Sequence, residues 1–204
     1  MAALKRLLMV LLLLQLAACA SAPPRNTANL CNMFEERRSW FRAARQAEER
    51  WQVPMPVTMA FIQHESGFRA RARPPRSKIL GFIPGPRPSN AMGYAQALES
   101  TWNDYKKTAP NRGARRSNFA DAVDFVGWYN HNSYRINGIR RDDAYSLYLA
   151  YHEGNGGYSR RTWEGKQWLL DTAARVQGTA QVYERQIRQC ESELGRNWFQ
   201  RLFS

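Results

Sequence analysis

Between Arg69 and Asn90 the chain carries prolines at 74, 75, 84, 86 and 88, with glycines at 81 and 85. Proline lacks the N–H that a helix ladder needs and its ring clashes with the preceding turn, so this stretch cannot run as a regular helix. It is predicted as a long loop with a short extended ribbon around Ile79-Leu80-Gly81-Phe82-Ile83. On both sides of it apolar residues recur at helical spacing, and no convincing strand alternation is present. The expected class is all-α, in one domain, with at most a small β element inside the 69–90 loop.

Met33 to Trp51 places Met33, Phe34, Trp40, Phe41, Ala44 and Trp51 on or near one side, which predicts one amphipathic helix. Val53-Pro54-Met55-Pro56 ends it, and Pro56 suits the first turn of a helix over Val57–Glu65. Ser100 is a candidate N-cap for 101–107, Ser117 or Asn118 for 119–134, and Asp142 or Asp143 for 144–153. Two more helices, about 164–176 and 179–193, complete the set. Trp128, Tyr129, Trp163 and Trp168 are assigned to the core.

The first residues read as a secretory signal peptide: Lys5 and Arg6, an apolar run from Leu7 to Leu14 too short to span a bilayer comfortably, then small residues. Leu16-Ala17-Ala18-Cys19 resembles a bacterial lipobox, which implies cleavage before Cys19, lipidation of Cys19 and attachment to a membrane surface. Ala20 resembles the outer-membrane sorting pattern of Gram-negative lipoproteins. The expected organisation is a leader over 1–18, the lipidated cysteine and a tether over 19–30, and one domain over 31–204. An ordinary signal peptide with an incidental cysteine is the alternative.

The net charge of +13 favours an acidic polymer or surface. An exported protein meets anionic envelope polymers rather than nucleic acid, so no nucleic-acid partner is expected. A nucleic-acid binder would require the leader to stay uncleaved in the cytoplasm. Of three cysteines, lipidation of Cys19 leaves Cys31 and Cys190, an even pair in an oxidising compartment, and a Cys31–Cys190 disulfide is expected. In the chain-entropy picture a loop of that length is worth up to ~5 kcal/mol.

Gln63-His64-Glu65-Ser66-Gly67-Phe68 carries the candidate chemistry. Glu65 ends an apolar helix with Phe61 and Ile62 one turn behind it, so hydrocarbon and the negative end of the helix dipole both disfavour its ionised form. A carboxyl group of raised pKa holds a proton near neutral pH and can deliver it to a leaving oxygen. Gly67 suits the left-handed residue that closes such a helix. His64-Glu65 and His152-Glu153 lack the further histidine of a metalloprotease, and zinc clusters, a Gly-x-Ser-x-Gly elbow and phosphate-binding glycine loops are absent from the sequence. No metal and no cofactor is expected, and His64, His131 and His152 read as polar or packing residues.

Glu65-Ser66-Gly67-Phe68, Gly93-Tyr94-Ala95-Gln96 and Ala150-Tyr151-His152-Glu153-Gly154, in that order, resemble the catalytic domain of the soluble lytic transglycosylases, a lysozyme-like family of the goose type. The resemblance covers about residues 53–158. It implies that Glu65 is the single catalytic acid and base, which cuts the bond between N-acetylmuramic acid and N-acetylglucosamine in peptidoglycan strands and leaves a 1,6-anhydromuramoyl end. It implies that Gly93, Tyr94, Gln96, Tyr151 and Glu153 line the substrate groove, with Tyr151 near the catalytic carboxyl and able to donate its phenol proton. Tyr94 and Ala95 stand where the family has leucine and methionine, and Glu153 stands where it has alanine.

Glu153 opens an alternative, because a second carboxylate near Glu65 could activate water and make the enzyme a hydrolytic muramidase. A non-catalytic peptidoglycan-binding lipoprotein is the other. Tyr145, Tyr148 and Tyr151 recur every three residues; Tyr151 is assigned to the groove, whereas Tyr145 and Tyr148 fit the core better. The 69–90 loop is longer than the family's usual connection. Its Arg71, Arg73, Arg76, Lys78 and Arg87 suit muropeptide carboxylates, anionic lipid or plain solvent.

Overall fold

The computed structural model describes residues 22–108 and 112–195. The leader, Cys19 and Ala20 lie outside the described residues. Eight helices and one two-stranded hairpin are found among them: α1 (Leu30–Glu36), α2 (Arg38–Trp51), α3 (Met55–Ser66), β1 (Lys78–Ile79), β2 (Ile83–Pro84), α4 (Glu99–Thr108), α5 (Phe119–Asn137), α6 (Ala144–Glu153), α7 (Asn155–Ser159) and α8 (Gln167–Gly195).

α3 is the central element. Every residue from Met55 to Ile62 is buried, the pattern of a helix surrounded by others rather than lying on a surface. α2, α5 and α8 pack around it. Pro54 precedes its first turn, where a missing N–H costs nothing. Gly67 closes it at φ +56°, ψ +41°, its N–H bonded to the Gln63 carbonyl at 2.9 Å. α5 crosses α2 at Gly127, where a Cβ would stand 2.8 Å from the Trp51 ring. The buried Asp124 accepts from Arg50, from the Trp51 indole and from the Tyr105 hydroxyl, so its charge enters the core with partners.

The single helix expected over 33–51 is two. Arg37 leaves helical geometry at φ −130° and donates its N–H back to the Met33 carbonyl at 2.8 Å. The break lets Leu30, Met33 and Phe34 bury on one axis and Trp40, Phe41 and Ala44 on another. The opposite correction applies at the other end, where one 29-residue helix, α8, replaces the two expected. Gly178 costs the helix only about 1 kcal/mol, and Leu169, Ala173, Val176, Ala180, Tyr183 and Ile187 form one buried stripe through it. Trp168 is corrected from core to surface, at 57 % exposed. Asn118 and Asp143 cap α5 and α6 by accepting the N–H of Asp121 and Ser146. α4 starts at Glu99 rather than after Ser100, and its first N–H is taken by Asn90 Oδ1.

The disulfide joins Cys31 on α1 to Cys190 on α8. The segment before α1 is also held down. Ala22 O accepts from Arg37 Nη2 at 3.0 Å, Thr27 O accepts from the Tyr183 hydroxyl, and Ala28 O accepts from Gln186 Nε2.

The proline-rich stretch forms the hairpin, with Ile79 opposite Ile83 and Lys78 opposite Pro84. Leu80 and Gly81 turn it at φ +54° and +80°. Its base is tied to the domain: Gly93 N–H and Gln96 Nε2 both donate to Ala72 O at 2.9 Å, and Arg116 donates to Asn90 O.

Candidate active site

Glu65 stands in the last turn of α3, half-buried, one turn from Phe61. The Phe61 ring meets Tyr148 and Tyr151 edge-on at centroid distances of 5.4 and 5.3 Å, so two phenols and a phenyl ring crowd this end of the helix. Burial pushes the Glu65 carboxyl up to about 7, against a hydrogen bond from the Tyr148 hydroxyl that favours its ionised form. Desolvation wins because no cation comes close enough to oppose it.

His64, the preceding residue, is engaged on α8. Burial, then the Arg175 guanidinium, depress its pKa. The Thr179 hydroxyl donates to Arg175 O at 3.0 Å and lies 2.9 Å from His64 Nε2.

Tyr151 lies close enough to Glu65 for the carboxylate's charge to reinforce burial in raising its pKa well above the ordinary value. Its hydroxyl donates to Ala95 O at 2.6 Å, so its proton is engaged there. The donor to Glu65 is Tyr148, one turn earlier on α6, buried at 6 % exposed. Tyr148 is thus both core and partner of Glu65. The spacing of three between Tyr148 and Tyr151 was the available signal.

Gly93-Tyr94-Ala95-Gln96 forms the turn that receives Tyr151. Gly93 has φ +85°, and a Cβ there would fall 2.0 Å from Arg116 O, so no other residue fits. Gln96 holds the turn by donating to Gly93 O and Ala72 O at 2.9 Å. Tyr94 is corrected: it is 4 % exposed, its ring edge-on to Trp40 and Phe119. It therefore supports the turn from inside and offers no ring to the groove. A cleft of about 230 Å³ opens beside Tyr151, walled by Gln96, Leu98, Tyr129, His152 and Glu153.

Glu153 borders that cleft, yet its carboxylate is already occupied. Lys166 Nζ reaches both oxygens at 2.7 and 2.8 Å, the Thr162 hydroxyl donates to one, and His152 Nδ1 lies 3.1 Å from the other. Burial opposes its charge, but these hydrogen bonds win and hold the carboxyl down at about 2. Glu153 and Glu65 do not perturb one another's ionisation.

The site thus consists of one carboxyl poised to carry a proton at neutral pH, a phenol that grips it, and a turn and cleft alongside. The model of the family described as the transglycosylase SLT domain matches residues 7–190. No curated protein and no solved structure matches the chain. The family match spans most of the chain and includes all three segments assembled around Glu65, and the chain belongs to the transglycosylase SLT domain family, whose lysozyme-like members are lytic transglycosylases acting on peptidoglycan.

Proposed function

We propose that this protein is a peptidoglycan lytic transglycosylase in which Glu65 alone serves as acid and base. The observation that carries the reading is the carboxyl raised to about 7 by burial, with no other carboxylate among the groups that shift it. Protonated Glu65 gives its proton to the glycosidic oxygen between N-acetylmuramic acid and N-acetylglucosamine, and the C1–O bond breaks. The substrate's own N-acetyl group supports the positive charge at C1. Glu65, now a carboxylate, takes the proton of the C6 hydroxyl as that oxygen bonds to C1, which closes the 1,6-anhydro ring and returns the acid. No water is consumed. Both nucleophiles belong to the substrate, so one enzymic carboxyl suffices where a hydrolase needs two.

Tyr148 holds Glu65 in place and supports its ionised form between the two proton transfers. The engagement of Glu153 by Lys166 weighs against the hydrolytic alternative. The lipobox-like tetrad ending at Cys19 supports an exported, lipid-anchored protein at the outer membrane, facing the periplasm.

Mass spectrometry of fragments released from purified peptidoglycan tests the reading. Anhydromuramoyl ends from the unmodified chain and none from Glu65→Gln are expected. Products heavier by one water would establish a hydrolase, and no release by either protein would leave a binding lipoprotein.

A further inference from the structure

The two most exposed large apolar side chains of the described residues, Leu80 and Phe82, stand together, with the exposed Ile83 beside them. Leu80 is 79 % exposed, Phe82 76 % and Ile83 43 %, all at the tip of the β1–β2 hairpin. An isolated exposed apolar residue is ordinary, but three at the end of one projecting ribbon are not. The arms below the tip carry Arg69, Arg71, Arg73, Arg76, Lys78 and Arg87, and no acidic residue occurs between Ser66 and Leu98. Among the described residues none of these six enters an ion pair. Arg76 and Arg87 instead donate to Gly85 O and Pro74 O, which stiffens the ribbon and keeps their charge at its base.

Apolar tip over cationic base is the arrangement that suits a bilayer of negative surface charge: hydrocarbon enters the acyl boundary while the cations stay among the headgroups. A glycan strand would reward the cations but leave Leu80 and Phe82 in water. We propose that the 78–84 hairpin tip inserts into an anionic lipid surface and so fixes how the active-site cleft is presented to the cell wall.

The place where the described chain starts agrees with this. Ala22 O is bonded to Arg37, whose guanidinium lies 5.6 Å over the Trp40 ring, and Trp40 packs against Phe68 and Tyr94, the residues flanking the base of the hairpin segment. Three peptide steps separate Ala22 from the expected lipid on Cys19, a reach of at most about 10 Å. An anchor there would bring the membrane to the hairpin's side of the domain. The insertion itself does not require the anchor.

Hydrogen exchange of the full chain, followed by mass spectrometry, tests the proposal locally. The chain is mixed with vesicles of phosphatidylcholine alone, with vesicles containing phosphatidylglycerol, or with soluble peptidoglycan fragments. Exchange over 78–84 should slow about tenfold with the anionic vesicles only, recover at high salt, and stay fast in Leu80→Ser/Phe82→Ser. Arg76→Gln/Lys78→Gln should reduce the protection about tenfold. The double serine variant should keep its activity on soluble fragments, since both side chains lie in solvent. Three results would overturn the proposal: unchanged exchange in a chain that co-floats with anionic vesicles, equal protection by neutral vesicles, or protection by the fragments instead. Each leaves the transglycosylase reading standing, because that reading is decided by product mass.

Discussion

Two glutamates end two helices of this domain, and their carboxyl groups are driven in opposite directions. Glu65 closes α3 and Glu153 closes α6, so each faces the unfavourable end of a helix dipole and each is desolvated. Burial raises the first to about 7. The second falls to about 2 despite burial, because Lys166, Thr162 and His152 meet it. A helix end therefore does not decide what an acid becomes; the partners arriving from distant parts of the chain do. Glu65 meets a neutral phenol and no cation that shifts it, which leaves its carboxyl high. Glu153 meets a cation, which makes it a structural anion joining α6 to the start of α8.

The largest way to break this contrast is Glu65→Gln. Turnover should fall at least about 10³-fold, read as release of anhydromuropeptides. The same substitution should stabilise the fold. A carboxyl that binds its proton more tightly when folded weakens the native state as pH rises from about 4.5 through about 7. Chemical unfolding at pH 8 should show Glu65→Gln more stable by on the order of 2 kcal/mol, and the difference should vanish below pH 4.

Lys166→Met acts on the other member. It strands the Glu153 carboxylate, whose side chain is 6 % exposed, and should cost about 2 kcal/mol of stability at neutral pH. Turnover should change less than about tenfold. For Glu153 the sign is reversed: its lowered pKa contributes stability above about 4.5 that is lost as pH falls towards 2. In Lys166→Met the acid unfolding midpoint should therefore move to higher pH.

Tyr148→Phe is subtler. Removing the hydroxyl withdraws the one group that favours ionised Glu65. The limb of the pH–rate profile set by Glu65 should move up by about half a unit, with turnover reduced about tenfold. A loss of stability without any movement of that limb would reduce Tyr148 to packing.

Local chemistry made much of this legible beforehand. The caps at 117 or 118 and at 142 or 143, the glycine that ends α3, the hairpin within the prolines and the Cys31–Cys190 bridge all follow from residues close in sequence or from cysteine number. What stayed hidden depends on tertiary partners. Nothing near Glu153 announces Lys166, thirteen positions later, and nothing around Tyr94 says that Trp40 and Phe119 will enclose it. The break at Arg37 and the continuity through Gly178 are likewise set by which faces find a core, where local propensity contributes only about 1 kcal/mol.

The contrast itself is open to direct reading by carbon NMR of the glutamate side-chain carboxyls, assigned with Glu65→Gln and Glu153→Gln and followed from acid to alkaline pH. Glu65 should titrate with a midpoint near 7 and Glu153 near 2, each unaffected by removal of the other. A Glu65 midpoint near the ordinary 4.5, or one that shifts when Glu153 is replaced, would contradict a single carboxyl working alone.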